Sequence, residues 1–418
     1  MTNITTKVYK IKREILTMSS KFSKGLNRPQ RKFAADMMYG MLASGSCKLT
    51  DIADALHEPC KKKNTVERLS RHLANDSADI LKINHNKFIA KLVKNSKDEY
   101  PLVHIDDSDI EKDNGYHFES LGVVRDGSSK DKKLVKGYHV TEAVCLTSNY
   151  QPVSLFSKVH SSHEKGFVSV NNITYEAIDC AISTLGKATF VMDRGYDNNA
   201  MFTRLLKKEQ RFIVRLTSKR KVLFHGKWMP VTELCNRRKG KIKLPVCYKG
   251  KEFDIYLSHV KVQITAKREF IHLVLVYGLG DKPMMLATNL PVNCKEDVLC
   301  VARAYFSRWR IEEYFRAKKQ GFNFEDFRVR SIGAINHLNT LLSLCMTFLA
   351  HVSLKGDCNS LKCDVLNAAN PLKLKVRFLY YRILKGISAI LAYARAGIRL
   401  WYKPRRPKIV QLSLLLLL

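Results

Sequence analysis

Two short apolar runs, each breaking directly into aspartate, constrain this chain more than any other feature. Pro101-Leu-Val-His-Ile105 leads into Asp106-Asp107-Ser108-Asp109, and Ala188-Thr-Phe-Val-Met192 leads into Asp193-Arg194-Gly195-Tyr196-Asp197. Runs of this length, rich in β-branched and aromatic residues and bounded by polar punctuation, read as buried strands. In an open α/β sheet the strand ends are where ligand-binding side chains gather. Each aspartate also has a bland reading: Asp193 can merely start a turn, and Asp197 or Asn198 can cap the next helix.

A third acidic residue stands in a helical pattern. Tyr305, Arg308, Glu312 and Lys319 are separated by gaps of two, three and six residues. At roughly 100° per residue, offsets of 3, 7 and 14 nearly complete whole turns, so one continuous helix would gather all four within a sector of about 60°. A Glu with an Arg four residues earlier is ordinarily a solvated ion pair. What gives this face more meaning is its company. Arg308 and Lys319 suit phosphate oxygens, Tyr305 can donate a hydrogen bond, and Glu312 can take a metal ion beside them.

Separated carboxylates in a basic chain point to metal-assisted phosphoryl transfer, because divalent cations held by acidic ligands activate an oxygen nucleophile and stabilise the leaving oxygen. Lys and Arg number 72 against 38 Asp and Glu, a formal net charge of +34. That excess is far beyond what solubility needs and favours a polyanionic partner.

The Tyr305, Arg308, Glu312, Lys319 spacing resembles the Y-(2)-R-(3)-E-(6)-K signature of the insertion sequence four family of bacterial DDE transposases. Val103 to Ile110, Val191 to Asp197 and Lys282 to Val292 resemble other blocks of that family in the same order, and the resemblance runs over about residues 30 to 355. It implies an α/β protein with an RNase H-like core, an N-terminal all-helical DNA-binding domain and a β-rich insertion. It implies that Asp106, Asp193 and Glu312 are catalytic and metal-binding, and that Tyr305, Arg308 and Lys319 contact DNA near the scissile phosphate. Asp107 is the runner-up for the first position; Asp106 is preferred through Ser108 and Ile110, and a strand points only one of the two adjacent aspartates into a site. Asp109 and Glu313 are left as supporting or surface groups.

Around that core, 418 residues with 45% apolar content suffice for several units. Residues 1–96 read as helical and basic. Leu49 to Leu56 and Asn64 to Leu73 suggest two short helices around a Pro-containing turn, with Thr50 and Asn64 as N-caps. They form either a helix-turn-helix in which Arg68, Arg71 and the Lys61 to Lys63 run reach DNA, or a small helical bundle with a solvated basic turn. Residues 97–216 read as strand, hairpin, helix, strand, helix, strand, with a turn at Ser148 to Pro152. Residues 217–292 alternate basic clusters with antiparallel strands and match the β-rich insertion. Residues 293–372 complete the core with helices, Leu338 to Val352 being a buried core helix rather than a membrane span. Residues 373–418 form a basic C-terminal segment ending in Leu412-Ser-Leu-Leu-Leu-Leu-Leu418. Met1 to Met18 is too polar and basic for a cleavable signal. The 11 cysteines form no C-x-x-C pair and read as reduced thiols.

The expected activity is that of a metal-dependent polynucleotidyl transferase and endonuclease, with Mg2+ as the ion and Mn2+ able to substitute. It would cleave double-stranded DNA at the terminal inverted repeats of a mobile element and transfer the freed strands into target DNA. The resemblance further implies a homodimer on DNA, a bacterial cytoplasmic, nucleoid-associated location and no membrane partner. An RNase H-like nuclease without strand transfer, and a catalytically inactive DNA-binding regulator of transposition, stand as alternatives.

Overall fold

The computed structural model describes residues 3–75, 77–94, 99–125, 133–248, 251–266, 268–280, 282–370 and 378–398. The chain opens with helices α1 (Ile4–Phe22), α2 (Arg28–Ser44), α3 (Leu49–Leu56), α4 (Lys62–Leu73) and α5 (Ala78–Lys94), with no strand among the described residues up to this point. Helix α2 starts in a capping box, the Asn27 side chain accepting from Gln30 N while the Gln30 side chain accepts from Asn27 N. It ends on Gly45 at φ 62°, a left-handed position that glycine takes without a Cβ clash. Thr50 and Asn64 are not N-caps. Helices α3 and α4 begin earlier, behind Lys48 and Lys61, neither of which makes a side-chain cap. Before α3 the polar work falls to Ser46, whose hydroxyl accepts from Lys48 N at 3.1 Å and donates to Asp51 at 2.7 Å.

Next come β1 (Leu102–Glu111), β2 (Gly122–Arg125), β3 (Leu134–Leu146), β4 (Pro152–His160), α6 (Val170–Leu185), β5 (Thr189–Met192), α7 (Asn199–Lys207) and β6 (Arg211–Arg215). Strands β1, β5 and β6 are parallel to one another, and β3 is antiparallel to both β1 and β4. β5 is buried at all four positions, as a central parallel strand covered on both faces must be. The first aspartate cluster does not follow a strand end. β1 continues through Asp106, Asp107, Ser108 and Asp109 to Glu111 by pairing with β3, although its pairing with β5 stops at Ile105 opposite Met192. Asp106 therefore sits where its parallel neighbour ends, and Asp193 is the first residue beyond that neighbour.

The chain then forms β7 (Lys221–Phe224), β8 (Lys227–Pro230), α8 (Val231–Asn236), β9 (Ile242–Tyr248), β10 (Lys251–Ile264), β11 (Phe270–Tyr277) and β12 (Met284–Thr288). These strands extend the same sheet. β12 pairs with β6, giving the order β2-β3-β1-β5-β6-β12-β11-β10-β7-β8, with β4 beside β3 and β9 beside β10.

Helices α9 (Lys295–Phe306), α10 (Trp309–Arg316), α11 (Ile332–Leu354), α12 (Ser360–Ala368) and α13 (Tyr380–Leu391) complete the described chain. Tyr305 to Lys319 is not one regular helix. At Ser307 and Arg308 the ladder tightens to i→i+3 bonds, Arg308 N to Tyr305 O and Ile311 N to Arg308 O, and after Arg316 it widens into a π turn at Ala317–Gly321. Lys319 therefore lies outside the regular helical register of the other three. Helix α11 is long and apolar enough to cross a membrane by length and composition, yet it is buried along nearly its whole length against β4, α2 and α13. Helix α13 packs so closely on α12 that a Cβ at Gly386 would lie 1.9 Å from Val365 O, which only glycine avoids. Arg405 to Lys408 and the leucine tail lie outside the described residues.

Candidate active site

The carboxylate of Asp106, in mid-β1, accepts a hydrogen bond from Arg308 Nη1 at 2.6 Å, and the other arm of the same guanidinium, Nη2, donates to Glu312 Oε1 at 2.6 Å. Arg308 lies at the start of α10 and Glu312 one turn on, so the helix brings both to the strand together. Asp193 approaches from the end of β5. Its Oδ1 accepts from the Tyr305 hydroxyl at 3.2 Å, and Arg215, at the end of β6, stands 3.9 Å away. Asp106 and Glu312 thus share one guanidinium, and Asp193, the first residue past the short β5, lies near enough to Asp106 for its charge to act on that carboxyl.

Burial governs the electrostatics. It pushes the Asp106 carboxyl up to about 7, against the pull of Arg308, and the neighbouring Asp107 and Asp193 charges add to the rise. The Tyr305 phenol is likewise pushed up to about 12 by burial and then by Asp193, so it is a donor at neutral pH. Burial disfavours the charge on Arg308, but Asp106, Tyr305 and Glu312 outweigh it and hold the guanidinium ionised. Beneath the tightened turn, His104 is buried and depressed to about 3 by desolvation, with its Nε2 3.1 Å from Ser307 Oγ. A neutral imidazole from β1 therefore supports the junction that carries Arg308.

Asp107 faces elsewhere. It accepts from Thr141 Oγ1 on β3 and from the Tyr196 hydroxyl at 3.1 Å. Lys319 does not join the Arg308 cluster; its Nζ lies 3.3 Å from Asp109 and 3.1 Å from Glu325. Glu313 pairs with Arg310 at 2.6 Å. Asn198, rather than Asp197, caps α7, while Asp197 is a buried anchor for Thr217 and Arg220. Among the helices, Arg68 is engaged at 3.0 Å by both Asp36 and Glu58, whereas Arg71 is exposed. A DNA contact from Arg68 would have to compete with that ion cluster.

Sequence reading missed Tyr196, Thr141 and Arg215, and also Glu142 and Lys318, which form a buried ion pair. One signal for the last pair was visible: Glu142 is a lone charge within the apolar stretch Val140 to Leu146. Among the described residues no three His, Cys, Asp or Glu side chains converge closely enough to form a metal-holding group, the Arg308 guanidinium lying between Asp106 and Glu312. The donor chemistry itself, carboxylate oxygens with one of them buried at an electrostatic cost, fits a hard divalent cation.

Residues 121–348 match the family model described as Transposase DDE domain. That span is more than half of the chain and takes in Asp193, Tyr305, Arg308, Glu312 and Lys319, leaving Asp106 and the five N-terminal helices outside. Among solved structures, a piggyBac transposase synaptic complex with hairpin DNA aligns over 98% of this chain and 83% of that chain, with 9% identity and a TM-score of 0.46. No curated protein matches. The chain belongs to the transposase DDE-domain family: it is a DNA transposase, a metal-dependent enzyme acting on polynucleotides.

Proposed function

We propose that Asp106, Asp193 and Glu312 hold the divalent ions of a cut-and-paste DNA transposase of the insertion sequence four type. The observation that carries this reading is the Arg308 bridge between Asp106 on β1 and Glu312 on α10, with Asp193, just past β5, held by Tyr305 three residues before that arginine. Bound at these oxygens, Mg2+ or Mn2+ would polarise the scissile phosphate and stabilise the attacking and leaving oxygens. The chain's own residues do the rest. Tyr305 fixes the rotamer of Asp193. Arg308 orients Asp106 and Glu312 and is the cation best placed to hold a phosphate oxygen next to them. Lys319, on the adjacent π turn, and Arg71, with the exposed Lys61 to Lys63 run at the start of α4, supply further phosphate contacts.

An RNase H-like core is supported by the strand order β4-β3-β1-β5-β6 with β1, β5 and β6 parallel. On this reading residues 1–96 bind DNA, 97–216 and 293–372 build the core, 217–292 extend it with antiparallel strands, and 373–418 form a C-terminal segment. Residues 217–292 carry basic clusters suited to the DNA backbone. The substrate is double-stranded DNA bearing the element's terminal inverted repeats, then target DNA. The acting species is a homodimer on two ends in a bacterial nucleoid. The test is to incubate the purified protein with inverted-repeat DNA and Mg2+, beside Asp193→Ala and Glu312→Ala. End cleavage and strand joining lost in both variants is the expected result. Cleavage without joining would reassign the protein as a nuclease, and specific binding without either reaction would make it a regulator.

A further inference from the structure

Next to the proposed metal-binding carboxylates lies a second ion pair with a different character. Glu142 stands directly opposite Asp106 in the β1/β3 register and is completely buried. Lys318, six residues after Glu312 and inside the π turn, is 1% exposed and donates to the Glu142 carboxylate, to Asn339 Oδ1 at 2.6 Å and to Ser157 Oγ at 3.2 Å. Glu142 also accepts from Ser154 Oγ at 2.7 Å and Ser157 Oγ at 2.6 Å, and Asn339 Nδ2 donates to Ser157 at 2.6 Å. The Tyr314 and Phe324 rings lie 5.7 and 5.2 Å from the ammonium. Four elements, β3, β4, the π turn and α11, therefore meet at one sealed, fully hydrogen-bonded charge pair.

Such a pair is a poor source of stability, because well-packed apolar residues of similar volume usually serve a fold as well or better. What it does supply is position. An ammonium that must place its three donors on three oxygen partners in a dry cavity tolerates one backbone placement, whereas an apolar side chain tolerates several. The π turn is the visible consequence: it sends Lys318 inward to Glu142 and leaves Lys319 toward Asp109 and Glu325. Since Glu142 is registered on Asp106 and Lys318 follows Glu312 on the same helical segment, one pair spans the two sides of the proposed site.

We infer that Glu142 and Lys318 are positioning residues for DNA cleavage, fixing α10 and its π turn so that Glu312 and Lys319 keep their places relative to Asp106. The inference rests on the site reading above. Its test uses the full-length protein, a duplex carrying the element's terminal inverted repeat and Mn2+, with thermal melting and single-turnover cleavage measured over a range of DNA concentrations. The double variant Glu142→Leu with Lys318→Met is expected to melt at or above the wild-type temperature and to half-saturate with DNA within about twofold, while its maximal cleavage rate falls at least about tenfold, the scale of loss that a small misplacement of reacting groups produces. A merely structural pair would leave rate and stability changing together. Wild-type cleavage by a stable double variant overturns the inference, as does a loss confined to DNA half-saturation. Should the double variant lose its melting transition, Glu142→Gln decides: it keeps the side-chain volume and one accepting oxygen but removes the charge, and an unchanged rate there also overturns the inference. Asp106→Asn and Glu312→Gln run alongside. Activity in those two defeats the site reading itself, whereas their inactivity beside a fully active double variant defeats only the positioning role.

Discussion

Asp106 and Glu142 face each other across the same pair of strands, yet one carboxylate belongs to an open arrangement and the other to a sealed one. Around Asp106, the side chains of Arg308, Asp106 and Glu312 remain 16%, 23% and 31% exposed. Around Glu142 the corresponding values are 0% for the carboxylate and 2% for Lys318. The open group divides one guanidinium between two acids; the closed group gives one acid an ammonium and two serine hydroxyls. Partial exposure and excess negative charge suit exchange of partners with an incoming ligand. Full satisfaction suits a fixed distance. The two members of one register pair thus divide the work between chemistry and geometry.

The most severe way to probe that division is to neutralise the open side. Glu312→Gln and Asp106→Asn are expected to cut end cleavage by roughly a thousandfold, about 4 kcal/mol of barrier, while leaving the melting temperature unchanged or slightly raised. For Asp106 the expectation follows from burial, which disfavours the ionised carboxylate and offsets part of what its pairing with Arg308 contributes. Cleavage assays beside differential scanning calorimetry decide it, and a large drop in melting temperature would erase the distinction between the two pairs.

The reverse experiment acts on the closed side. Lys318→Ala leaves the Glu142 charge buried without its ammonium and is expected to destabilise the fold by roughly 3–5 kcal/mol, the range for breaking a sealed pair. Urea denaturation measures it. A cost below about 1 kcal/mol would mean that Glu142 is as solvated as an exposed acid.

How much of this was legible in the sequence follows the same boundary. The two aspartate-terminated runs gave away β1 and β5 because a strand buried on both faces must be apolar throughout, and the helix that carries Arg308 and Glu312 was legible because their four-residue spacing is a local property. That Lys319 leaves the regular helix has a tertiary reason: the pairing of Lys318 with Glu142, made from 176 residues away, accompanies a π turn that no periodicity announces. Thr50 and Asn64 failed as caps because both helices start earlier, behind Lys48 and Lys61, and before α3 the hydroxyl that accepts a backbone N–H is that of Ser46. The extension of β1 past its apolar run was hidden as well, since its polar half is held by pairing with β3, a contact between segments about thirty residues apart.

Arg308→Lys sharpens the comparison on a smaller scale. Lysine keeps the charge but cannot divide two parallel donors between Asp106 and Glu312, so cleavage is expected to fall by about ten- to a hundredfold with a stability change under about 1 kcal/mol. Single-turnover kinetics and thermal melting on the same preparation check both halves. Equal activity of the lysine variant would show that charge alone, and not the forked geometry, matters at the open pair.

The smallest expected effect carries the open-versus-sealed contrast to the N-terminal helices, where two arginines three residues apart on α4 differ in the same way. Arg71 is exposed, whereas Arg68 is drawn between Asp36, which is completely buried, and Glu58. Arg71→Ala is expected to weaken DNA binding only severalfold, to lower the slope of log affinity against log salt by about 1, and to leave the fold intact, as the loss of a single phosphate contact does. Arg68→Ala should show the opposite balance. It leaves the Asp36 carboxyl, whose pKa burial already raises, with Lys32 as its remaining ion-pair partner, and so it is expected to cost stability first and DNA affinity only through the fold. Binding isotherms at several salt concentrations, set beside denaturation curves, separate the two. If Arg68→Ala lowered the salt slope by the same amount without loss of stability, the ion cluster would be a resting place for a DNA-contacting arginine, and α4 would present both of its arginines to the phosphate backbone.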